Sequence, residues 1–189
     1  MNGCLILVVG PSGVGKDTLM RGAQRQLAAD HLIQFPKRLI TRTSDPQHED
    51  HETLSEAAFE RLCATGAAPL HWRAHGHGYA VPASVLDTVN AGASCVVNGS
   101  RGVLDQAALA FPRAYAILIQ LDRQNLENRI ERRGRETGTA VQERLNRRVT
   151  DVAGRTGVHT LNNSGTVEEG TVKLVNLIRA CADGALAAL

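Results

Sequence analysis

The sequence predicts an α/β protein of three layers, α/β/α, with a parallel sheet in the middle. Two observations carry that expectation. Short apolar runs suited to strands alternate with helical patterns along the chain, an order that places helices on both faces of a parallel sheet. Between the first run and the first helical pattern lies Gly10-Pro-Ser-Gly-Val-Gly-Lys16. Such a glycine-rich loop presents backbone N–H groups and a helix N-terminus to phosphate oxygens.

Cys4-Leu-Ile-Leu-Val-Val9 is an unbroken apolar run within a first strand at about 3–9, long enough for a buried parallel strand and too short to cross a membrane. A helix at about 15–29 follows, where Leu19, Ala23 and Leu27 recur at near-helical spacing with Arg21, Arg25 and Gln26 between them. Later strand-like runs fall at about 37–41, 68–73, 93–98, 114–121 and 157–161, with Tyr79 in a small additional strand. Helical patterns at about 55–65, 83–91, 102–110, 123–133, 138–154 and 166–187 alternate with them. Ligands of such sheets gather at the carboxyl ends of the strands. That rule nominates Gly10 to Thr18, Thr41-Arg42, Asn98 to Arg101 and Leu161 to Asn163.

A length of 189 residues suits one domain with a sizeable core, 1–189, and 43% hydrophobic with 21% charged residues is an ordinary soluble composition. A net charge of +2 gives no reason to expect nucleic acid or an anionic membrane as partner. Cys4, Cys63, Cys95 and Cys181 are scattered without a CxxC, which reads as free thiols in a reducing cytoplasm. The chain enters its first strand at once, leaving no room for a signal peptide, and no apolar run reaches membrane length. A small-molecule substrate is therefore the expected partner. The oligomeric state stays open.

The loop departs from the usual G-x-x-x-x-G-K-[ST], in which the final hydroxyl holds Mg²⁺. Gly10, Gly15 and Lys16 are in place, but Asp17 follows the lysine and the hydroxyl arrives at Thr18. Gly10, Pro11, Ser12, Gly13, Val14, Gly15, Lys16, Asp17 and Thr18 are the candidate ATP-binding residues, with Lys16 on the β/γ-phosphates. Ordinary loops of this kind pair the hydroxyl with an acid on a neighbouring strand. Here the strand ending Ser94-Cys-Val-Val97 delivers Asn98, Gly99 and Ser100 instead. Asp17 is thus the candidate Mg²⁺ ligand, direct or through water. The alternative is an acid favoured in the first helical turn by ~0.3–1 kcal/mol.

Ile130-Glu-Arg-Arg-Gly-Arg-Glu136 gathers arginines around Gly134, and Arg144, Arg147 and Arg148 follow. Arg144 and Arg148, four apart, share a helical face. Such a group suits a lid over phosphates, whose charge must be neutralised during transfer; a solvated basic helix is the alternative. Five of the seven histidines fall between His48 and His77, but no Cys completes a zinc set. The stretch around His75 and His77 shows no hairpin or helical frame in sequence. Trp72 reads as core or pocket wall. No G-x-S-x-G elbow points to a hydrolase.

The stretch GPSGVGK, with Thr41-Arg42, His75-Gly-His-Gly-Tyr-Ala-Val-Pro82, the arginine-rich segment and Leu161-Asn-Asn163, resembles the guanylate kinase family over nearly the whole chain. The resemblance implies a P-loop NTPase fold, guanylate-kinase-like. It also implies a mobile lid at about 131–148 and an acceptor-binding insertion at about 37–82. The guanine-reading half is absent. Asp50-His-Glu-Thr-Leu54 stands where that family has aromatics, Asp45 lies near its second arginine, and Val97 and Gly99 fall where it has acids. A buried guanine edge would be left unpaired.

Those departures are similar to another family. The GKD at Gly15–Asp17, Ile40-Thr-Arg42, Glu49-Asp-His51, Leu54-Ser-Glu56 with Phe59, Val97-Asn-Gly-Ser-Arg101, Arg133-Gly-Arg-Glu136 and His159-Thr-Leu-Asn-Asn163 resemble the ribose 1,5-bisphosphate phosphokinases. These convert their substrate with ATP into 5-phosphoribosyl 1-diphosphate during phosphonate breakdown. By that resemblance Lys16, Arg133 and Arg144 act on the transferred group, and Arg135 and Asn162 join the loop on ATP. Arg42, His51, Tyr79, Arg101 and Arg148 meet the acceptor. An acceptor phosphate is already an anionic nucleophile, so positioning and charge neutralisation suffice and no general base is needed. A nucleoside monophosphate kinase and a non-catalytic binding module of the same fold are the competing readings.

Overall fold

The computed structural model describes residues 3–43, 51–121 and 152–189. The expected helix at 123–133, most of that at 138–154, and the lid with Arg133, Arg135, Arg144 and Arg148 lie outside the described residues.

The first strand, β1 (Leu5–Val9), is fully buried and sits in the middle of a five-stranded parallel sheet. It pairs with β7 (Ser94–Asn98) on one side and β8 (Ala114–Gln120) on the other. Beyond these lie β2 (Ile33–Gln34), against β7, and β9 (Val158–Asn162), against β8. Alternation along β1 divides the core. Leu5, Leu7 and Val9 pack with Val85 and Val89 of α3 (Ala83–Asn90) and Leu104 of α4 (Leu104–Ala110). Ile6 and Val8 pack on the other face with Leu19 and Ala23 of α1 (Lys16–Gln26) and Leu174 and Ile178 of the C-terminal helix α5 (Val167–Ala182). Both faces are covered, as buried parallel strands require. Truncating a side chain such as Ile6 to Ala costs ~2–5 kcal/mol.

Leu19, Ala23 and Leu27 are buried while Arg21, Arg25 and Gln26 are exposed, so the helical spacing was a sound guide to α1. The start of α5 is set by a capping box. Thr166 Oγ1 accepts from the Glu169 N–H at 3.1 Å, and Glu169 Oε2 accepts from the Thr166 N–H at 3.0 Å. The helix stops before Gly184, in the left-handed region, rather than running to 187.

The runs at 37–41 and 68–73 do not join the central sheet. With two further strands they form a second, mixed sheet in the order β4 (Glu52–Thr53), β3 (Leu39–Ile40), β6 (His77–Val81), β5 (Leu70–Ala74). The reason lies in their composition. The central strands β1, β7 and β8 are buried almost throughout, whereas Arg38, Thr41, His71 and Arg73 interrupt these runs, and one face of their sheet rests on a small core of its own. That core is Phe59 of α2 (Glu56–Thr65), packed with Ala68 and Ala80 and flanked by Leu39. β5 and β6 form a hairpin closed by His75 and Gly76, at φ 51° and 77°, the positive pair a two-residue turn requires. The frame judged absent around His75 and His77 is thus present. Two-residue strands such as β2 and β4 carry no periodic signal and were not anticipated.

Candidate active site

The carboxyl end of β1 runs into the glycine-rich loop. Gly10 has φ 149°, and a Cβ there would lie 2.5 Å from the Ile119 carbonyl oxygen of β8, so no other residue fits. Gly15, left-handed at φ 98°, caps α1 without any side chain. Val14 is fully buried and anchors the loop in the core. Asn163, 3% exposed, ties the loop down from the other side: its Nδ2 donates to the Val14 carbonyl at 2.8 Å. Asn162, the residue expected on ATP, uses its Oδ1 to accept from the Ser164 N–H at 2.9 Å.

Lys16 Nζ folds over the loop, donating to the carbonyls of Gly10 at 2.8 Å and Pro11 at 3.0 Å. Both acceptors are neutral, so an anionic phosphate oxygen is a stronger partner for the ammonium. Burial pushes the Lys16 pKa down to about 8; Asp17 opposes the shift, and the charges of Arg38 and Arg101 add to it. Asp17 is exposed and accepts a 2.8 Å hydrogen bond from Asn98 Nδ2 at the end of β7. The cradle therefore fits a polyphosphate: a sterically obligatory glycine, a helix N-terminus and a lysine facing only neutral acceptors. The exposed carboxylate at its mouth is a hard oxygen donor of the kind Mg²⁺ takes. Thr18, half-buried, and Ser12, exposed, complete the loop.

Just past β3 the chain bends through Thr41 and Arg42. Thr41 is locked to β6, its Oγ1 accepting from the Gly78 N–H at 2.8 Å. The Arg42 carbonyl accepts from His51 Nε2 at 3.0 Å and from Thr53 Oγ1 at 3.3 Å. His51 is 4% exposed, buried against the backbone of Arg42. His77 Nδ1 donates to the Thr41 carbonyl at 3.3 Å, and His71 packs edge-on to Phe59. Among the described residues no group of three His, Cys, Asp or Glu side chains is placed to hold a metal ion.

Tyr79 stacks on Trp72, its partner across the β5–β6 pair, with ring centroids 5.3 Å apart and planes 5° from parallel. Arg38 lies over both rings, 5.3 Å from Tyr79 and 5.7 Å from Trp72. It is 9% exposed. Burial pulls its pKa down to about 10, opposed by Asp17 and Tyr79 and helped by Arg42, which leaves it a cation at neutral pH. Arg101 opens the short 3₁₀ turn after β7, behind the Ser100 cap. Lys16 thus lies within electrostatic reach of Asp17, Arg38 and Arg101, and Arg38 within reach of Asp17, Tyr79 and Arg42. Asn98 and Asn163, which the sequence reading nominated only as parts of strand ends, hold Asp17 and Val14, and Arg38 is a residue it left out. Period-two counting back from Arg42 through Ile40 was the available signal for Arg38.

No protein-family model matches the chain. Among curated proteins it is 40% identical over 169 residues to "Ribose 1,5-bisphosphate phosphokinase PhnN" of Brucella melitensis, covering 89% of this chain and 88% of the relative. It is 42% identical over 181 residues to the protein of the same name from Methylobacterium radiotolerans, covering 96% of this chain and all of the relative. Among solved structures, guanylate kinase from Anaplasma phagocytophilum superimposes with a TM-score of 0.62 at 19% identity, covering 95% of this chain and 86% of that one. The second likeness bears on the fold, a P-loop kinase fold. The first, over nearly full length on both sides, settles the family: the chain belongs to the ribose 1,5-bisphosphate phosphokinases.

Proposed function

We propose that the protein transfers the terminal phosphoryl group of Mg-ATP to ribose 1,5-bisphosphate, giving 5-phosphoribosyl 1-diphosphate and ADP, as a step of phosphonate breakdown in the cytoplasm. The observation that carries this reading is the make-up of the loop's surroundings. Arg38, Arg42, Arg101 and Tyr79 are among the polar groups near the loop, and the strand β7 ends in Asn98 rather than an acid. Cations and a phenol suit phosphates; a guanine edge needs acceptors for its N–H donors, and leaving those unmatched is heavily penalised. The second sheet with α2, about 37–82, is the acceptor-binding part, and the central sheet with the loop is the ATP-binding part of a single domain.

The acceptor phosphate is anionic near neutral pH, so attack needs no proton removal. Lys16 and the N–H groups of the loop hold the donor phosphates, and Arg42 and Arg101 hold the acceptor against them. Orientation and charge neutralisation then lower the barrier. When bound, Mg²⁺ would supply further neutralisation of phosphate charge, and Asp17 would hold it, directly or through water. Among the described residues no helix is long and apolar enough to cross a membrane. Cys4, Cys95 and Cys181 are free and buried. Burial pushes all three thiols up, Cys95 to about 11 and Cys181 to about 12, so they stay protonated and inert.

One assay tests the reading: ADP formation from Mg-ATP with ribose 1,5-bisphosphate, with GMP, and with neither. Turnover confined to the sugar bisphosphate is expected. Comparable turnover of GMP would make the protein a nucleoside monophosphate kinase, and no turnover with either would leave a binding module.

A further inference from the structure

Val14 sits in the middle of the glycine-rich loop and is held at two points. Its side chain is fully buried, in the same core as Leu19 and Ala23 of α1. Its carbonyl accepts from Asn163 Nδ2 at 2.8 Å. The second hold reaches further than Val14. The peptide that follows is planar and trans, so the Val14 carbonyl and the Gly15 N–H lie in one plane and point opposite ways. Fixing that carbonyl therefore fixes the Gly15 N–H, turned away from Asn163. Backbone N–H groups of such a loop are what cradle phosphate oxygens.

The backbone by itself would not keep that peptide in place. Gly13 and Gly15 flank Val14 at φ 87° and 98°, and glycine takes positive and negative φ about equally readily. A peptide between two such residues can turn over, which would set a carbonyl, not an N–H, against phosphate. Asn163 supplies the restraint and is itself restrained. It is buried, and its backbone N–H donates to the Gln120 carbonyl at 2.8 Å. Helix α5 walls in its side chain: a Cβ added at Gly170 would lie 2.5 Å from Asn163 Oδ1 and 2.9 Å from Leu19 Cδ2. Gly170 directly follows the Thr166–Glu169 capping box that fixes the start of α5. Ala is ordinarily the better helix former at such a position. Here glycine lets α5 close on Asn163 and on α1 together.

We infer that Asn163 is a positioning residue for ATP: by holding the Val14–Gly15 peptide it keeps the Gly15 N–H directed at the donor phosphates, and Gly170 leaves the space in which its amide does so. This rests on the proposed function, with ATP as donor, and deepens it. The loop's hold on ATP is then set in part from the end of β9 and from α5, neither of which touches the nucleotide through these two residues.

The experiment is a calorimetric titration of ATP with Mg²⁺ and no acceptor, run well below the melting temperature. It uses the wild type, Asn163→Asp and Asn163→Ala, with thermal melting and KM for both substrates measured alongside. Asn163→Asp keeps the shape and puts an acceptor against the Val14 carbonyl; Asn163→Ala removes the contact. In both variants Kd and KM for ATP should rise at least about tenfold, the scale of one buried hydrogen bond lost, with KM for the sugar bisphosphate within about twofold. A purely structural Asn163 would lower the melting temperature and leave the Kd of the folded protein unchanged, and that result overturns the inference. If neither variant folds, Gly170→Ala carries the same expectation, since it keeps the amide and crowds it; a Kd for ATP within about twofold of the wild type there would overturn the inference equally. A wild type that binds ATP but turns over no sugar bisphosphate, with the rise in Kd still seen in the variants, would sink the proposed function and leave the role of Asn163 standing.

Discussion

Asp17 accepts a 2.8 Å hydrogen bond from Asn98 Nδ2, joining the first turn of α1 to the end of β7. Val8 pairs with Asn98 across the two strands, so the amide sits beside the strand from which the loop departs. These are the two places where P-loop enzymes divide Mg²⁺ binding between a hydroxyl after the lysine and an acid on a neighbouring strand. Here the acid follows the lysine and a neutral amide ends the strand. The Asn98 amide orients the Asp17 carboxylate.

Exchanging the two should therefore be better than breaking either one. Asp17→Ser is expected to lower kcat at least about a hundredfold, the scale of one electrostatic contact at the transferred group, and to raise the Mg²⁺ concentration needed for half-maximal rate. Asp17→Ser/Asn98→Asp puts the carboxylate on the strand and should recover at least about tenfold of that loss. A fully active Asp17→Ser at low Mg²⁺ would show that Asp17 serves only the helix N-terminus.

Lys16 predicts a pH dependence. Its pKa is pushed down to about 8, and only the ammonium neutralises phosphate charge. In the free protein that charge is present below about pH 8 and is lost above it. The plot of kcat/KM for ATP should therefore fall on the alkaline side with a limb near 8. Bound phosphates favour the cation, so the corresponding limb of kcat should lie at higher pH. For stability the sign is opposite. Keeping a desolvated ammonium costs stability below about pH 8, and the cost fades as pH rises toward the usual lysine value of 10.5. Lys16→Ala should keep the fold and lose activity at least about a hundredfold. A kcat/KM profile flat to pH 9.5, or near-normal turnover in Lys16→Ala, would contradict this role.

The central sheet was legible because its signals are local and long. β1 is an unbroken apolar run, and α1 repeats Leu19, Ala23 and Leu27 over a soluble face. The second sheet was legible only in pieces. β3 has two residues, too few for a period, and its partners arrive from 52–53 and 77–81. Arg38 illustrates the cost. It stands in plain view before Leu39, but its burial depends on Trp72 and Tyr79 stacking 34 and 41 positions later, which no local pattern encodes. Asn162 and Asn163 are a similar case. Either could reach the loop from the end of β9; the structure sends Asn163 to Val14 because its backbone N–H continues the pairing to the Gln120 carbonyl at 2.8 Å.

Gly22 tests how tightly α1 is seated. An Ala in a helix interior is normally better than Gly by about 1 kcal/mol. Here a Cβ would lie 2.6 Å from Thr171 Oγ1 and 2.8 Å from its Cγ2. Thr171 is buried and its hydroxyl donates to the Val167 carbonyl at 2.7 Å, so it has no room to swing away. Gly22→Ala is expected to destabilise the protein by ~1–3 kcal/mol in denaturant unfolding. Adding Thr171→Ala should make the double variant more stable than Gly22→Ala alone, a coupling that a double-mutant cycle reads directly. A stabilised single variant would mean that α1 and α5 are looser than this packing.

Arg42 and His51 divide one task between a contact and its support. Arg42 lies two residues past the end of β3, and its carbonyl is held by the His51 Nε2–H at 3.0 Å. Arg42→Ala should raise KM for the sugar bisphosphate at least about tenfold while KM for ATP moves little, since a charged hydrogen bond to the acceptor is removed. His51 is buried behind that carbonyl, so His51→Ala should raise the same KM by less and leave the ATP term alone. His51→Gln can still offer an N–H to the Arg42 carbonyl and should restore part of the loss. Rescue by Gln separates positioning from a direct contact, because a histidine that met the acceptor itself would not be replaced by an amide set one shell back. Steady-state kinetics on the three variants decides between them. If His51→Ala changes KM for ATP instead, Arg42 belongs to the donor side.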